Sequence, residues 1–314
     1  MSKCLITGVA GFIGSHLAEK LIADGIMVVG IDSFTSYYDP ALKKQNLAKL
    51  LNEPNFTFWE VDLLEVNLSL LLKDIDFCFH LAGEPGVRLS WGHSFQDYLD
   101  RNVLTTQVLL EALKESGIQK FVYASSSSVY GTCALPMSEA VLPRPISPYG
   151  VTKLAAEQIC QAYRENYQIP YVALRYFTVY GPRQRPDMAF SKIIHCLMEE
   201  AEFAIYGDGQ QTRDFTYVDD IVEATIAAAK SNASGEVINV GGGCQATLFE
   251  AISILQKITG KELKIQYLEG QKGDPINTRA DLTKASRLLN YQPKVLLEQG
   301  LNNQVKWFLR RFSQ

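Results

Sequence analysis

The 314-residue sequence predicts an α/β protein, with a doubly wound parallel sheet and a smaller, mixed α/β C-terminal domain. Two observations carry that expectation. From residue 3 to about 177, short and near-continuous apolar runs alternate with helical stretches, as a parallel sheet covered on both faces requires. After residue 181 that rhythm breaks into GPRQRPDMAF and then shorter mixed elements.

The strand-like runs are KCLITG (3–8), MVVGID (27–32), FTFWEVD (56–62), DFCFHLAG (76–83), KFVYASS (120–126) and YVALRYF (171–177). Each is short, apolar and closed by turn residues or a helical pattern. The stretch DYLDRNVLTTQVLLEALKES (97–116) sets Leu99, Val103, Thr106, Leu110 and Leu113 at helical spacing. VDDIVEATIAAA (218–229) reads as a helix, and GEVINVGGG (235–243) as a late strand returning to the sheet. The last helix carries Leu301, Val305, Phe308, Leu309 and Phe312 on one stripe. Docking on the protein body is expected of it, rather than lying on a membrane surface.

Composition excludes several function classes. Hydrophobic residues make up 47% and charged residues 20%, which rules out wholesale disorder. The net charge of −4, with dispersed basic residues, leaves no footprint for nucleic acid. Cys4, Cys78, Cys133, Cys160, Cys196 and Cys244 are scattered without a CxxC pair. They are expected to be buried thiols in a reducing compartment, not a disulfide framework or a zinc site. MSKCLI runs directly into a strand, leaving no room for a signal peptide. No apolar run reaches the ~18 residues of a membrane span. A soluble, cytoplasmic protein is expected.

TGVAGFIGSHLAEKL (7–21) follows the first strand and opens the first helix, with Gly8, Gly11 and Gly14 spaced around Phe12 and Ile13. Glycines there let the backbone turn tightly and approach a pyrophosphate seated at the helix N-terminus. Asp32 ends the second strand, 18 residues past Gly14, where an acid hydrogen-bonds a ribose 2′-hydroxyl. No arginine follows it to hold a 2′-phosphate, so NAD is expected rather than NADP. Asp62 and Leu63 end the third strand and would flank the adenine, or would simply be a strand end and a helix cap. The expected architecture is thus Rossmann-type. Residues 1–177, with 216–242 returning, form an NAD-binding domain; 178–215 and 243–314 form the substrate domain.

SPYGVTKLAAEQ (147–158) supplies Tyr149 and Lys153 on one helical face. A nearby ammonium favours the phenolate, so Lys153 is expected to lower the pKa of Tyr149 toward a range useful for proton transfer.

The glycine turn, HLAG (80–83), SSSSVYG (125–131), YGVTK (149–153), RYFTVYGPRQRPDMAF (175–190) and GDGQQTRDF (207–215) together resemble the extended short-chain dehydrogenase/reductases. Among these the chain is most similar to nucleotide-sugar epimerases of the UDP-glucuronate 4-epimerase kind, over nearly its whole length. The resemblance implies that Tyr149 takes the proton of the sugar 4-hydroxyl while C4 passes hydride to NAD. It implies that Ser126 hydrogen-bonds the same oxygen, that Lys153 also holds the nicotinamide ribose, and that Phe12, Ile13, Leu81 and Ala82 line the cofactor site. It further implies that Arg213 contacts the UDP diphosphate, that Ala189 and Phe190 sit beside the uracil, and that Asp274 binds the uridine ribose. Gln271 departs from the family's usual arginine. Arg88 and Arg185 are further candidates for the substrate pocket. His80 and the other histidines are expected to be packing or loop residues, with no metal site.

Sister enzymes part ways at the 4-ketone. Sugar 4,6-dehydratases carry acidic residues before the VYG-like tripeptide, and UDP-glucuronate decarboxylases carry a glutamate immediately before it. Here those positions are Ser127 and Ser128. A uronate 4-ketone is a β-keto acid that loses carbon dioxide when the C5–carboxylate bond aligns with the carbonyl π system. Neutral donors can hold the carboxylate out of alignment, at about 1.5–3 kcal/mol per hydrogen bond to a charged group. Ser127, Ser128 and Thr178, which replaces the asparagine of many neutral-sugar epimerases, are therefore expected to cradle it. Ser125 is expected to be a structural strand-end residue. UDP-glucose or UDP-N-acetylglucosamine epimerisation is the nearest alternative; a UDP-glucuronate decarboxylase or a non-catalytic NAD-binding protein is less favoured. Apolar residues beyond one stripe on helices 97–116 and 149–167 suit pairing in a homodimer.

Overall fold

The computed structural model describes residues 2–269, 273 and 275–312. Among them, seven strands form a wholly parallel sheet. These are β1 (Lys3–Thr7), β2 (Met27–Asp32), β3 (Phe56–Glu60), β4 (Phe77–His80), β5 (Lys120–Ser126), β6 (Tyr171–Tyr176) and, after three strands elsewhere, β10 (Glu236–Val240). The spatial order is β10-β6-β5-β4-β1-β2-β3. The order reverses between β1 and β4, and a doubly wound sheet opens its ligand crevice at such a point, beyond the strand C-termini.

The apolar runs read as continuous because both faces are covered. In β1, Cys4 and Ile6 pack on one face and Leu5 on the other; in β5, Val122 and Ala124 oppose Phe121 and Tyr123. Helices Phe12–Ala23 and Val218–Lys230 cover the first face. Helices Thr105–Leu113 and Pro148–Tyr167 cover the second.

The late strand returns to the sheet: β10 pairs with β6 in parallel, Asn239 opposite Arg175. The remaining strands form two small sheets. β7 (Thr178–Tyr180) pairs in parallel with β9 (Thr212–Tyr217), and β9 pairs antiparallel with β11 (Gln245–Thr247). β8 (Glu202–Tyr206) pairs in parallel with β12 (Lys264–Leu268).

Two elements depart from the sequence expectation. The helix expected over 97–116 is a short α segment (Phe95–Tyr98), a π-helical turn (Leu99–Leu104) and an α-helix (Thr105–Leu113). The wider turn rotates the face, so Tyr98, Asn102, Thr106, Leu110 and Leu113 are buried while Leu99 and Val103 are only half-buried. Asn102 has reason to point inward. It accepts from the backbone N–H of Glu84 (2.8 Å) and donates to the carbonyl of Glu84 (3.0 Å) and to Thr152 Oγ1 (3.0 Å). The terminal helix, Leu297–Phe312, buries Leu301 and Val305, but Gln304 joins them while Leu309 stays 45% exposed. Gln304 accepts from the N–H of Gly181 (3.1 Å) and donates to Gln184 Oε1 (2.9 Å), tying the helix to the loop after β7.

Candidate active site

The turn after β1 is shaped by glycine where other residues would not fit. Gly8 has φ +72°, and a Cβ there would meet the backbone N of Ala82 at 2.7 Å. A Cβ on Gly14 would lie 2.2 Å from the carbonyl oxygen of Gly8, so the first helical turn can press onto the loop. Gly11 caps helix Phe12–Ala23 without a side-chain hydrogen bond, and the first turn holds no acidic residue. The positive helix end and its N–H groups are left for an anion, which fits the pyrophosphate of a dinucleotide.

Asp32 is held at the end of β2 by the N–H groups of Ala10 (3.1 Å) and Phe34 (2.9 Å). Beside it stands a residue that no motif singles out. Lys43, buried in helix Pro40–Leu47, places Nζ 3.8 Å from Asp32 Oδ1 and donates to Thr35 Oγ1 at 3.1 Å. Burial lowers the pKa of Lys43, while Asp32 opposes that shift.

One cavity runs from this acid to Tyr149 and Lys153. Gly8, Gly11, Phe12, Ile13, Gly14 and Asp32 line it, with Asp62, Leu63, Leu81 and Ala82. Ala124, Ser125, Tyr149, Lys153 and Arg185 line it as well. Arg101 approaches Asp62 (3.9 Å) and Glu84 (3.5 Å) on the same wall. Tyr37, Tyr38, Glu84 and Arg101 carry no motif signal, because only tertiary packing brings the loops of the first three and the π-helical turn of Arg101 to the crevice.

Ser147 caps helix Pro148–Tyr167, accepting from the N–H of Gly150 at 3.1 Å, with Pro148 in the first turn. A Cβ on Gly150 would lie 2.5 Å from the carbonyl oxygen of Ser128, so glycine lets the helix seat against the serine turn. That contact brings Tyr149 to Ser126. Burial raises the pKa of Tyr149; the hydrogen bond with Ser126 and the charge of Arg185 pull it back. Lys153 does not supply the expected lowering. Its ammonium donates to the carbonyl of Ala124 (2.8 Å) and lies 4.9 Å over the ring of Tyr123. Burial pushes Lys153 down to about 8, with Glu157 the strongest opposing influence.

The serine run divides. Ser125 donates to Glu157 Oε1 at 2.5 Å. Ser126 is the last residue of β5; its Oγ accepts from the N–H of Ser128 and donates to Ser128 Oγ, each at 3.1 Å. Ser127–Val129 form a 3₁₀ turn in which Ser127 and Ser128 are half-buried. Thr178 opens β7 two residues beyond Tyr176, the register partner of Ser126.

Of the described residues predicted for the substrate, Arg185 lines the cavity, whereas Ser126, Ser127, Ser128, Thr178, Arg88, Arg213, Ala189 and Phe190 lie off its wall. Arg88 is exposed, with its guanidinium 4.5 Å over the ring of Tyr206. Arg213 donates to the carbonyls of Thr212 and Ile276. Ala189 is exposed, but the ring of Phe190 is 1% exposed and packed 4.6 Å from Phe215. A base beside Phe190 would therefore meet backbone rather than that ring. Asp274 and Gln271 lie outside the described residues. His80 is a packing residue, wholly buried between the hydroxyls of Thr7 (2.7 Å) and Thr106 (3.1 Å). Burial lowers its pKa to about 3.

Comparison with known proteins agrees with this geometry. The model of the NAD dependent epimerase/dehydratase family matches residues 4–241. An uncharacterized UDP-glucose epimerase of Bacillus subtilis (strain 168), YtcB, is 46% identical, over 97% of both chains. A UDP-glucuronate 4-epimerase of Thermodesulfobacterium geofontis (strain OPF15) is 40% identical, over 98% of this chain and 96% of its own. The crystal structure of UDP-glucuronic acid 4-epimerase from Bacillus cereus, in complex with UDP-glucuronic acid and NAD, superposes with a TM-score of 0.96. It is 48% identical, covering 98% of this chain and 99% of that one. A match over that span, on so similar a fold, means that this chain belongs to the NAD dependent epimerase/dehydratase family.

Proposed function

We propose that this protein interconverts UDP-glucuronate and UDP-galacturonate by NAD-dependent epimerisation at C4. The observation that carries the reading is the seat of Tyr149. It lines a cavity that also reaches Asp32, on a helix that Gly150 seats against the Ser128 carbonyl, with the neutral Ser127–Val129 turn directly after Ser126. NAD supplies the acceptor that takes hydride from C4 and the donor that returns it to the other face. Gly8, Gly11 and Gly14 would admit its pyrophosphate, Asp32 would bind the adenosine ribose, and Asp62 and Leu63 would flank the adenine. Lys153 would hold the nicotinamide ribose.

In this mechanism Tyr149 removes the 4-hydroxyl proton as the C4–H bond breaks, and Ser126 hydrogen-bonds the oxygen that becomes the ketone. The 4-keto sugar turns over, and Tyr149 returns the proton when C4 is reduced from the opposite face. Ser127, Ser128 and Thr178 grip the carboxylate, Arg185 charges the wall beside Tyr149, and Arg213 meets the diphosphate. We assign Arg88, Ala189, Phe190 and Asp274 to the nucleotide-sugar half by the family resemblance.

The test is incubation with UDP-glucuronate, UDP-glucose and UDP-N-acetylglucosamine in parallel, with products separated by anion exchange. UDP-glucuronate alone should equilibrate, with UDP-galacturonate and without release of carbon dioxide. Faster equilibration of a neutral sugar, or a UDP-pentose product, would overturn the reading.

No described helix is long and apolar enough to cross a membrane. The six unpaired thiols support a reducing, cytoplasmic setting. A homodimer through residues 97–116 and 149–167 is supported by Leu104 and Val151, 44% and 47% exposed on two helical segments that pack on each other. Sedimentation should find a dimer that Leu104→Glu with Val151→Glu converts to monomer; a monomeric wild type at micromolar concentration would refute it.

A further inference from the structure

A buried ion pair stands behind the catalytic residues without touching the cavity. Glu157 and Arg175 have side chains 1% and 5% exposed. Arg175 grips Glu157 with both prongs, Nε to Oε1 at 3.0 Å and Nη2 to Oε2 at 2.7 Å. Ser125 donates to the same Oε1. The guanidinium lies 4.6 Å over the ring of Tyr130, and Arg175 Nη1 has no hydrogen-bond partner. As stabilisation alone this is a poor choice, since a buried ion pair often contributes less than apolar side chains of similar volume.

Its position suggests what the pair does. Tyr149, Lys153 and Glu157 follow at i, i+4 and i+8 on helix Pro148–Tyr167, along one face. Arg175 and Ser125 are register partners across β5 and β6. The groups that face Lys153 are Tyr123 and the carbonyl of Ala124 from β5, His80 from β4, and Asn102 from the π-helical turn. From its own helix come Tyr149, Glu157 and Cys160. Among these, Glu157 is the acidic side chain, and it is held by the Arg175 guanidinium. Burial keeps His80 neutral and raises the Cys160 thiol and the Tyr123 hydroxyl. A free carboxylate one turn away would draw the ammonium toward itself. With its oxygens engaged by Arg175 and Ser125, Glu157 acts on Lys153 through its field, and Nζ stays on Ala124 at the cavity wall.

We propose that Glu157 and Arg175 are positioning residues: a buried charge pair that holds Lys153 as an ammonium at the cavity wall and fixes Ser125 beside it. Glu157 keeps the charge on Lys153, and Arg175 prevents Glu157 from pulling that charge out of the site. The two partners should therefore act in opposite directions on the pH at which Lys153 loses its proton.

The inference rests on the epimerase reading for its kinetic test, so a measurement independent of turnover accompanies it. NAD is titrated calorimetrically into cofactor-free protein between pH 6 and 10, and the pH profile of kcat/KM for UDP-glucuronate is recorded alongside. Glu157→Gln leaves Arg175 beside Lys153 and should move the alkaline loss of NAD affinity down by about one pH unit or more. Arg175→Met frees Glu157 and should move it up, with kcat falling about tenfold as Nζ is displaced. Glu157→Gln with Arg175→Met should restore the wild-type midpoint. If Glu157→Gln fails to fold, the contrast between Arg175→Met and the double variant still decides. Coincident midpoints in folded variants, whatever their activity, would reduce the pair to scaffold. Absence of wild-type turnover would defeat the epimerase reading and leave the NAD titration to judge this one.

Discussion

Tyr149→Phe should lower kcat for UDP-glucuronate by about 10³-fold, within the span that a positioned general base contributes, and leave NAD bound. In the proposed mechanism the phenol is the proton carrier for the 4-hydroxyl, and removing a single oxygen deletes it without opening the packing against Tyr98 (ring centroids 6.2 Å). The pH dependence follows from its surroundings. To act as base Tyr149 must shed its proton, so activity rises with pH through its pKa. Burial raises that value, and Ser126 and Arg185 restrain it. Ser126→Ala should therefore move the acid limb to higher pH as well as lowering kcat, whereas Tyr149→Phe should erase that limb. Calorimetry with NAD and chromatographic assay of turnover check both. Activity of Tyr149→Phe within tenfold of wild type would remove the tyrosine from its role.

The parallel sheet was legible because its inner strands are buried on both faces and announce themselves as apolar runs; the edge strand β3, with no fully buried residue, was legible from its aromatic and β-branched residues. The glycine turn was legible because Gly8 and Gly14 answer steric demands local to strand, turn and helix. The cavity was legible where its lining residues are close in sequence, as with Tyr149 and Lys153. It was obscure where charge is set by distant ones. Lys153 was expected to act on Tyr149, but Ala124 and Tyr123 take its ammonium, and Arg185, which follows β7, carries the charge that reaches the phenol. Lys43 reaches Asp32 only because helix Pro40–Leu47 packs back against helix Phe12–Ala23. The π-helical turn escaped because periodicity assumes a constant pitch, and the Asn102 that the rotated face buries is polar, invisible to an apolar stripe.

Ser127→Ala with Ser128→Ala should turn part of the flux from epimerisation to decarboxylation, with a UDP-pentose and carbon dioxide appearing beside UDP-galacturonate. The reasoning starts from the turn. Ser126 fixes it through the N–H and hydroxyl of Ser128, and Gly150 lets the catalytic helix close on the Ser128 carbonyl. The backbone of the turn is thus held by groups that the two substitutions leave in place, apart from the Ser126–Ser128 hydroxyl contact. What they remove is two neutral hydroxyls, each contributing about 1.5–3 kcal/mol if bonded to a carboxylate. A loss of about 3 kcal/mol in restraint corresponds to roughly a hundredfold change in the balance between aligned and misaligned carboxylate. The 4-keto acid would then lose carbon dioxide in a share of turnovers. Ser128→Glu should instead weaken uronate binding outright, because an acid placed there repels the carboxylate. Carbon dioxide release and nucleotide-sugar products, measured in one time course, separate these outcomes. Intact epimerisation with no pentose from the double alanine variant would show that the carboxylate is held elsewhere, with Thr178 and Arg185 the next residues to test.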